Sequence, residues 1–160
     1  NPTRTALLNK TASNFFRCVQ ESYWEQIILR IGRLTDKPKS CGQKNCSLKL
    51  LPSLVAKELR PDIEKLLSKI DEKISSCRDL RNKRIGHCSY DEALNVKPIT
   101  KVLGAEVEEA LLAIDNTMNA VSRYYRRSIT NFHASIFSNG AEQLLCVLQD
   151  APGESSPKSS

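Results

Sequence analysis

An all-α fold is predicted by three features of this sequence. Apolar residues recur at spacings of three and four in three long stretches, which is the pattern of amphipathic helices. Pro, Gly and Asn separate these stretches, and no stretch alternates apolar and polar residues as a half-buried strand does. The 160 residues, 40% of them hydrophobic, suffice for one core. We therefore predict a helical bundle of three long and two short helices over residues 1–150, followed by a disordered tail over 151–160.

The first long helix is predicted from Thr5 to about Leu34, and its wide apolar stripe predicts that it is largely buried. Turn-forming residues then predict a loop that ends near Ser47, which is a suitable N-cap for a short helix from Leu48 to Leu59. The members of the first stripe are Leu8, Ala12, Phe15, Phe16, Val19, Tyr23, Trp24, Ile27, Ile28, Ile31 and Leu34.

The third helix is predicted to open at Pro61, because proline fits the first turn of a helix. Its apolar stripe continues from Ile63 to Ile85 and places Arg81 at the edge of the buried face. The fourth helix is predicted from about Thr100 to a basic end, and a short final helix covers residues 142–149.

Composition narrows the classes of partner and site. The 24 basic and 18 acidic residues give a net charge of +6, which favours an anionic partner. No apolar run approaches the roughly 18 residues of a membrane span, so a cytoplasmic protein with no membrane partner is expected. The six cysteines are scattered through helix-patterned sequence, and we expect reduced thiols. The spacing of Cys41, Cys46, His87 and Cys88 does not fit the usual zinc site, so no metal and no cofactor are expected.

The chemistry of the chain is concentrated in the run from Arg81 to His87. Arg81 offers a planar fork of donors for phosphate oxygens. His87 belongs to the residue type that exchanges protons near neutral pH, and Asn82 can orient a phosphate or the imidazole. Arg81, Asn82 and His87 are therefore the candidate catalytic residues for work on a phosphodiester.

This run and its surroundings resemble the AbiU-type abortive-infection family of the HEPN superfamily. The matching parts are the helix end from Ile27 to Asp36, a loop into Ser47, and the block from Arg78 to His87. The resemblance implies a helical bundle that dimerises through its motif helices, so that two Arg–His pairs line one cleft where RNA is cut without a metal. It also implies a role in phage defence or as a toxin, with an antitoxin protein as a possible partner.

Some toxins of this superfamily are silenced by a partner nucleotidyltransferase, and these toxins carry a Tyr two residues after the His. The present sequence departs from that pattern. Here Tyr90 stands three residues after His87, so the resemblance does not extend to modification of Tyr90. An ideal helix would also set Arg81 and His87 about 120° apart around its axis. A bend or a helix end at Gly86, or pairing across a dimer, would remove that difficulty.

Further basic residues are candidates for binding the substrate, because cations and aromatic rings together suit RNA. Each assignment has an ordinary alternative. The alternative for Arg81 is a structural residue paired with neighbours of Cys77 or with Glu109, and the alternative for His87 is a residue that satisfies carbonyls at a helix end. The basic end of the fourth helix is equally typical of a solvated helix terminus. The substrate-binding candidates are Arg78, Arg84, Arg123, Arg126 and Arg127.

The sequence thus favours a metal-independent endoribonuclease that attacks RNA through its 2'-hydroxyl group. The alternative is a non-catalytic helical domain that binds nucleotide, RNA or a partner protein through the same basic face. Cleavage of RNA separates the two hypotheses.

Overall fold

The computed structural model describes residues 2–40, 42–86, 102–132 and 140–150. Within these ranges most residues are helical and the only strands are those of one small hairpin, which confirms the predicted all-α class. The predicted tail lies outside the described residues, so the division into a domain and a tail stays a prediction. The α-helices are α1 (Pro2–Thr35), α2 (Leu51–Leu54), α3 (Arg60–Lys73), α4 (Ser75–Leu80), α5 (Gly104–Arg126) and α6 (Ala141–Asp150).

The described residues form two compact units. In one unit are α1 up to Ser22 and the whole of α6, with Arg4 donating two hydrogen bonds of 2.8 and 2.6 Å to the carboxylate of Glu142. The backbone of α1 leaves helical geometry at Ala12, where φ is −161° and ψ is 71°. The other unit spans Tyr23–Phe132 and contains every described residue of the candidate site.

The core of the larger unit is where the end of α1 meets α3, α4 and α5. Ile28 and Ile31 of α1 pack in one buried cluster with residues of the other three helices. A second, smaller cluster forms around Ile63 at the start of α3, against Ala120 and Val121 of α5. The buried residues of the first cluster are Ile28, Ile31, Leu48, Ile70, Ile74, Cys77, Leu80, Val107, Ala110 and Ile114.

Helices α3 and α5 pack against each other in opposite directions. Lys73, at the end of α3, donates a 2.7 Å hydrogen bond to Glu109 near the start of α5. At the other end, the hydroxyl of Tyr125 accepts a 2.8 Å hydrogen bond from the backbone N–H of Ala56, just before α3. The two ends of this pair are about 20 Å apart, because 14 residues of α-helix rise by that length.

The prediction that the first helix is largely buried is wrong for most of its length. Residues 3–15 of α1 are exposed or half-exposed, Phe15 and Tyr23 are 62% and 69% exposed, and full burial begins only at Ile28. The helix itself covers the predicted segment. Its apolar stripe has therefore formed a helix, but before Ile28 the described stripe residues are at most partly buried, with Trp24 and Ile27 packed against the core cluster.

The segment after α1 also differs from the predicted loop. Two short antiparallel strands, β1 (Lys39–Ser40) and β2 (Gln43–Lys44), pair Lys39 with Lys44 and Ser40 with Gln43. Gly42 turns the chain between them with a φ of 80°, which glycine adopts without steric cost. Two-residue strands are too short to show the alternation that predicts strands from sequence.

The short helix predicted from Leu48 to Leu59 is shorter than expected. A 3₁₀ turn at Leu48–Leu50 leads into α2, which ends at Leu54, and α3 begins at Arg60 with Pro61 in its first turn. Ser47 stands at the predicted N-cap position with extended backbone, but its side chain makes no capping bond. Its buried hydroxyl oxygen has no hydrogen-bond partner among the described residues.

The predicted third helix is broken twice. At Ile74 the backbone departs from helical angles and separates α3 from α4. Residues Arg81–Ile85 then form a π-helical segment, closed by a 2.7 Å hydrogen bond from the N–H of Gly86 to the carbonyl oxygen of Arg81. Gly86 caps the end of this segment and has right-handed helical angles. Single π turns occur frequently at functional sites.

The last two helices match their predictions closely. The start predicted at Thr100 lies outside the described residues, and α5 runs from Gly104 to Arg126, where Arg127 in left-handed geometry ends it. At its start, the N–H of Leu103 donates a 2.7 Å bond to Glu106. Helix α6 covers the predicted final segment. None of the described helices combines the length and apolar character needed to cross a membrane.

Candidate functional site

Arg81 begins the π-helical segment, and its side chain runs across the end of α1 above Gly32. A Cβ atom at position 32 would lie 2.6 Å from Cδ and 3.1 Å from Cζ of Arg81. No side chain larger than hydrogen fits at that distance without displacing the arginine. The absence of a side chain at Gly32 thus leaves a slot in which the side chain of Arg81 crosses the end of α1.

The guanidinium of Arg81 donates hydrogen bonds to two side chains. Nη1 donates a 2.7 Å hydrogen bond to Oδ1 of Asp36, immediately after α1, and Nε donates a 3.1 Å bond to Oδ1 of Asn82. The side chains of Arg81 and Asp36 are 20% and 35% exposed, so the pair lies at the edge of the core, as predicted for the arginine. A guanidinium has five N–H donors, and these two bonds leave donors for a ligand anion.

The structural alternative for Arg81 named the wrong partner. Glu109 accepts its hydrogen bond from Lys73, and the carboxylate that contacts Arg81 is Asp36. Arg81 does form an ion pair, but its partner is Asp36. Arg81 therefore has a structural contact and a position beside open solvent, and neither excludes the other.

A second set of charges lies beside this pair. Nζ of Lys49 donates 2.7 Å hydrogen bonds to both carboxylate oxygens of Asp71, and Nη2 of Arg78 donates a 3.0 Å bond to Oδ1 of the same residue. Partial burial by itself would raise the pKa of Asp71, but the bonds and charges of Lys49 and Arg78 outweigh burial and lower it. Asp71 therefore stays ionised and fixes both cations in place.

Arg81 and its two partners line one cleft together with Lys49 and Arg78, and the cleft has a volume of about 520 Å³. Five cations line the cleft, and Asp36 is the only carboxylate among its lining residues. Such an excess of positive charge in a concave surface attracts anions. The lining residues are Thr35, Asp36, Lys37, Lys39, Ser40, Asn45, Lys49, Arg78, Arg81 and Asn82.

Asn45 holds the backbone on the side of the cleft where β1 and β2 form the hairpin. Its side-chain amide donates a 2.8 Å bond to the carbonyl oxygen of Lys37, and its backbone N–H donates a 2.8 Å bond to that of Pro38. Lys37 and Lys39 are both exposed. In the described part of the chain no carboxylate forms an ion pair with either lysine.

The structure brings together Arg78, Arg81 and Asn82 of the predicted site residues. His87 lies outside the described residues, one position after Gly86. Arg84 is exposed and does not line the cleft. Whether these residues take part in catalysis or binding stays a prediction.

Arg123, Arg126 and Arg127 lie at a different end of the larger unit. They are at the C-terminal end of α5, beside Tyr125 and Ala56, whereas Arg81 follows α4 beyond the opposite end of α3. Within one chain these three arginines and the cleft do not form a single surface. Their predicted role in substrate binding would need a long RNA or a second chain.

Sequence reasoning missed Asp36 as the partner of Arg81, and it missed Lys37, Lys39, Lys49 and Asp71 altogether. One signal was available at position 32. A glycine inside a helix costs roughly 1 kcal/mol relative to alanine, so its presence in α1 indicates a close approach by another group. The sequence alone does not say which group approaches.

None of the described cysteines lines the cleft. Cys18, Cys46, Cys77 and Cys146 are unpaired thiols, and burial raises the pKa of the Cys77 thiol, which keeps it protonated in the core. Cys41, His87 and Cys88, weighed above as zinc ligands, lie outside the described residues. In the ranges that are described, no three His, Cys, Asp or Glu side chains are grouped to hold a metal.

Comparison with known proteins gives one match. The family model described as AbiU2, which belongs to the HEPN superfamily, matches residues 1–143. No curated protein and no solved structure matches the chain.

Proposed function

Because the chain belongs to the AbiU2 family of HEPN domains, a family related to abortive infection, we propose that it is a metal-independent endoribonuclease acting in phage defence or as a toxin. One observation carries the proposal. Arg81 and Asn82, the first two residues of the motif, line a cleft in which five cations face one carboxylate. This cleft suits the phosphates of an RNA strand.

In the proposed reaction the ribose 2'-oxygen attacks the adjacent phosphorus atom while the bond from phosphorus to the 5'-oxygen breaks. The products are a 2',3'-cyclic phosphate and a 5'-hydroxyl group. One proton leaves the 2'-hydroxyl and one reaches the 5'-oxygen. His87 is the proposed base or acid for these transfers, since imidazole exchanges protons near neutral pH.

Arg81 stabilises the negative charge that grows on the non-bridging phosphate oxygens. Asp36 and Asn82 fix its guanidinium before substrate arrives, so little reorganisation is needed during reaction. Asn82 uses its oxygen to accept from Arg81, which leaves its amide N–H groups for the phosphate. Gly86, bonded to the carbonyl of Arg81, brings the chain near that residue one position before His87.

The test is cleavage of single-stranded RNA by the purified protein in EDTA. We expect 2',3'-cyclic phosphate ends and intact DNA, because DNA lacks the attacking hydroxyl. His87→Ala should lower the rate by about 10²-fold or more, the usual contribution of a general acid or base. Arg81→Lys should cause a loss of similar size, since an ammonium lacks the planar donor fork.

Arg81→Lys is a sharper variant than Arg81→Ala, because alanine would leave Asp36 without its partner. Thermal melting of each variant shows whether a loss of activity comes from unfolding. Full activity in both variants, or activity abolished by EDTA, would contradict the proposed mechanism.

A non-catalytic binding domain is the second candidate. It is favoured by the engagement of Arg81 with both Asp36 and Asn82, which is also how a purely structural arginine would be bound. This candidate predicts that the protein binds RNA or nucleotide and releases it unchanged. The same cleavage assay therefore decides between the two.

A further inference from the structure

We propose that Lys37 and Lys39 form a second phosphate-binding subsite, which holds the RNA phosphate next to the one at Arg81. The inference rests on the proposed function, since it assigns to the same cleft a single-stranded RNA as its ligand. It concerns residues outside the motif, on the segment that runs from the end of α1 into β1.

The cations of the cleft fall into two groups, those that have a carboxylate partner and those that have none among the described residues. Arg81 is paired with Asp36, and Lys49 and Arg78 share Asp71. For Lys37 and Lys39, the part of the chain that the structure describes offers no carboxylate partner. Two uncompensated ammonium groups at the edge of one cleft leave a local excess of positive charge, which attracts an anion.

Position in the chain puts these lysines close to Arg81. Lys37 directly follows Asp36, and consecutive Cα atoms are about 3.8 Å apart. Asp36 contacts the guanidinium, and Lys37 lines the same cleft as Arg81. Lys39 lines the same cleft two residues later, at the start of β1.

The backbone that carries the lysines is held in place. Asn45 binds the carbonyl oxygens of Lys37 and Pro38 at 2.8 Å, and β1 pairs with β2 at Lys39. Proline also restricts the backbone between the two lysines. A fixed backbone lowers the entropy cost of binding, so the pair is suited to hold a phosphate at a defined distance from Arg81.

A strand of RNA fits this arrangement better than a single compact anion. The cations of the cleft come from three separate segments: the link after α1, the 3₁₀ turn at Leu48–Leu50, and the stretch from α4 into the π-helical segment. Charges spread in this way contact successive phosphates of one chain. Ammonium groups act on such phosphates as point charges and carry no base preference.

The experiment measures the salt dependence of RNA binding. A fluorescent single-stranded RNA with every 2'-hydroxyl methylated cannot be cut, and its affinity is followed by anisotropy over a range of salt concentrations. For single strands, log K changes with log salt by about 0.7 per phosphate contact. The double variant Lys37→Gln/Lys39→Gln should reduce this slope by about 0.7, corresponding to the one phosphate that the pair holds.

The matched control is Lys57→Gln/Lys65→Gln. Both of these lysines are exposed, and Lys57 lies beside Ala56 at the far end of α3, away from the cleft. The control variant has the same net charge as the test variant. Its slope should equal that of the unmodified protein, and both variants should melt at the unmodified temperature.

The possible failures are distinguishable. An unchanged slope in the Lys37/Lys39 variant, or an equal drop in the control, would overturn the subsite, whether or not unmodified RNA is cut. A selective drop of the slope in a protein that cuts no RNA would support the subsite and reject the ribonuclease. Inorganic phosphate or a mononucleotide that binds tightly at Arg81 alone, and displaces the RNA from there, would also overturn the subsite.

Discussion

Gly32 and Arg81 form the most closely fitted contact of the candidate site. The arginine passes over a position where even a methyl group would collide with Cδ. Its guanidinium then meets Asp36, which immediately follows the end of α1. The direction of Arg81 is therefore set by the absence of one side chain and the presence of another.

Gly32→Ala should test this contact. Alanine in a helix interior is favoured over glycine by about 1 kcal/mol, but the added methyl would push Arg81 out of the slot. We expect RNA cleavage to fall by roughly 10²-fold, the cost of misplacing a catalytic group by about 1 Å. Single-turnover cleavage rates and thermal melting measure the two effects separately.

Gly104→Ala provides the control, since a Cβ at position 104 meets nothing within 4 Å. It should leave cleavage unchanged. Wild-type cleavage by the Gly32 variant would show that Arg81 does not need its present path.

The sequence predicts some of these contacts and not others. The apolar stripe of the third helix predicts that Arg81 lies at the edge of the core, and the structure confirms that position. It does not predict the pair with Asp36, because the two residues are 45 positions apart and meet only through packing of α1. His87 lies outside the described residues, so its predicted role keeps its status as a hypothesis.

At the level of elements, the broken third helix shows how local and tertiary preferences compete. The stripe from Ile63 to Ile85 has helical spacing and is buried, but the backbone departs from helix at Ile74. Ser75 and Ser76 follow, and serine side chains compete with helical backbone bonds. The hydroxyl of Ser75 binds the carbonyl of Glu72 at 3.2 Å. Ser75 and Ser76 could therefore have predicted the break at Ile74 from the sequence, whereas no local feature of the sequence indicates the π-helical segment.

Asp71 links three elements, and its contribution to stability should depend on pH. Its carboxylate joins Lys49 of the 3₁₀ turn and Arg78 of α4 to α3. The folded-state pKa of Asp71 is lower than its ordinary value of 3.8. Its stabilisation is therefore complete above that value and is lost as pH falls through the lower folded pKa.

We expect Asp71→Asn to reduce the free energy of unfolding at pH 7 by about 1 kcal/mol or less, since the side chain is partly exposed. The difference between variant and unmodified protein should shrink below about pH 4. Thermal unfolding from pH 2.5 to 7 measures it. Asp79→Asn changes the net charge equally and removes only the pair with Lys83 within one exposed helical turn. A difference at pH 2.5 as large as at pH 7 would contradict the assignment.

At the scale of the whole molecule, the buried apolar stripe of the predicted third helix cannot supply the surface of the predicted homodimer. Ile74, Cys77 and Leu80 of the motif stripe are buried within the core of the same chain, so they are not available to a second copy. Exposed apolar residues remain elsewhere, including Leu111 and Leu112 on α5. The family resemblance still implies that two copies meet at the motif.

We expect light scattering at micromolar concentration to give about twice the chain mass of 17.9 kDa. Mixing inactive Arg81→Lys and His87→Ala proteins then tests whether one cleft takes residues from two copies. A mixed dimer contains one unaltered arginine and one unaltered histidine on different chains, so cleavage should recover. A strictly monomeric protein that cuts RNA, or mixtures that stay inactive, would reject the composite cleft.

The fold as a whole was more predictable than the site. Spacing of apolar residues locates α1, α3, α5 and α6, because burial of one helical face is a property that each segment carries by itself. The cleft depends on where separate segments end relative to one another. That information resides in packing at Ile28, Ile31 and Ile74, which the spacing shows to be apolar but does not assign to partners.

The slot over Gly32 also has a consequence for how this family can evolve. A substitution at position 32 that adds a side chain removes the path of Arg81, and loss of Arg81 leaves Asp36 without its partner. Each change alone is harmful, whereas changes at all three positions together remove the need for a slot. Positions 32, 36 and 81 should therefore vary together among related sequences. Members that keep the arginine should keep the glycine, and members with a bulkier residue at position 32 should have lost the arginine together with its activity.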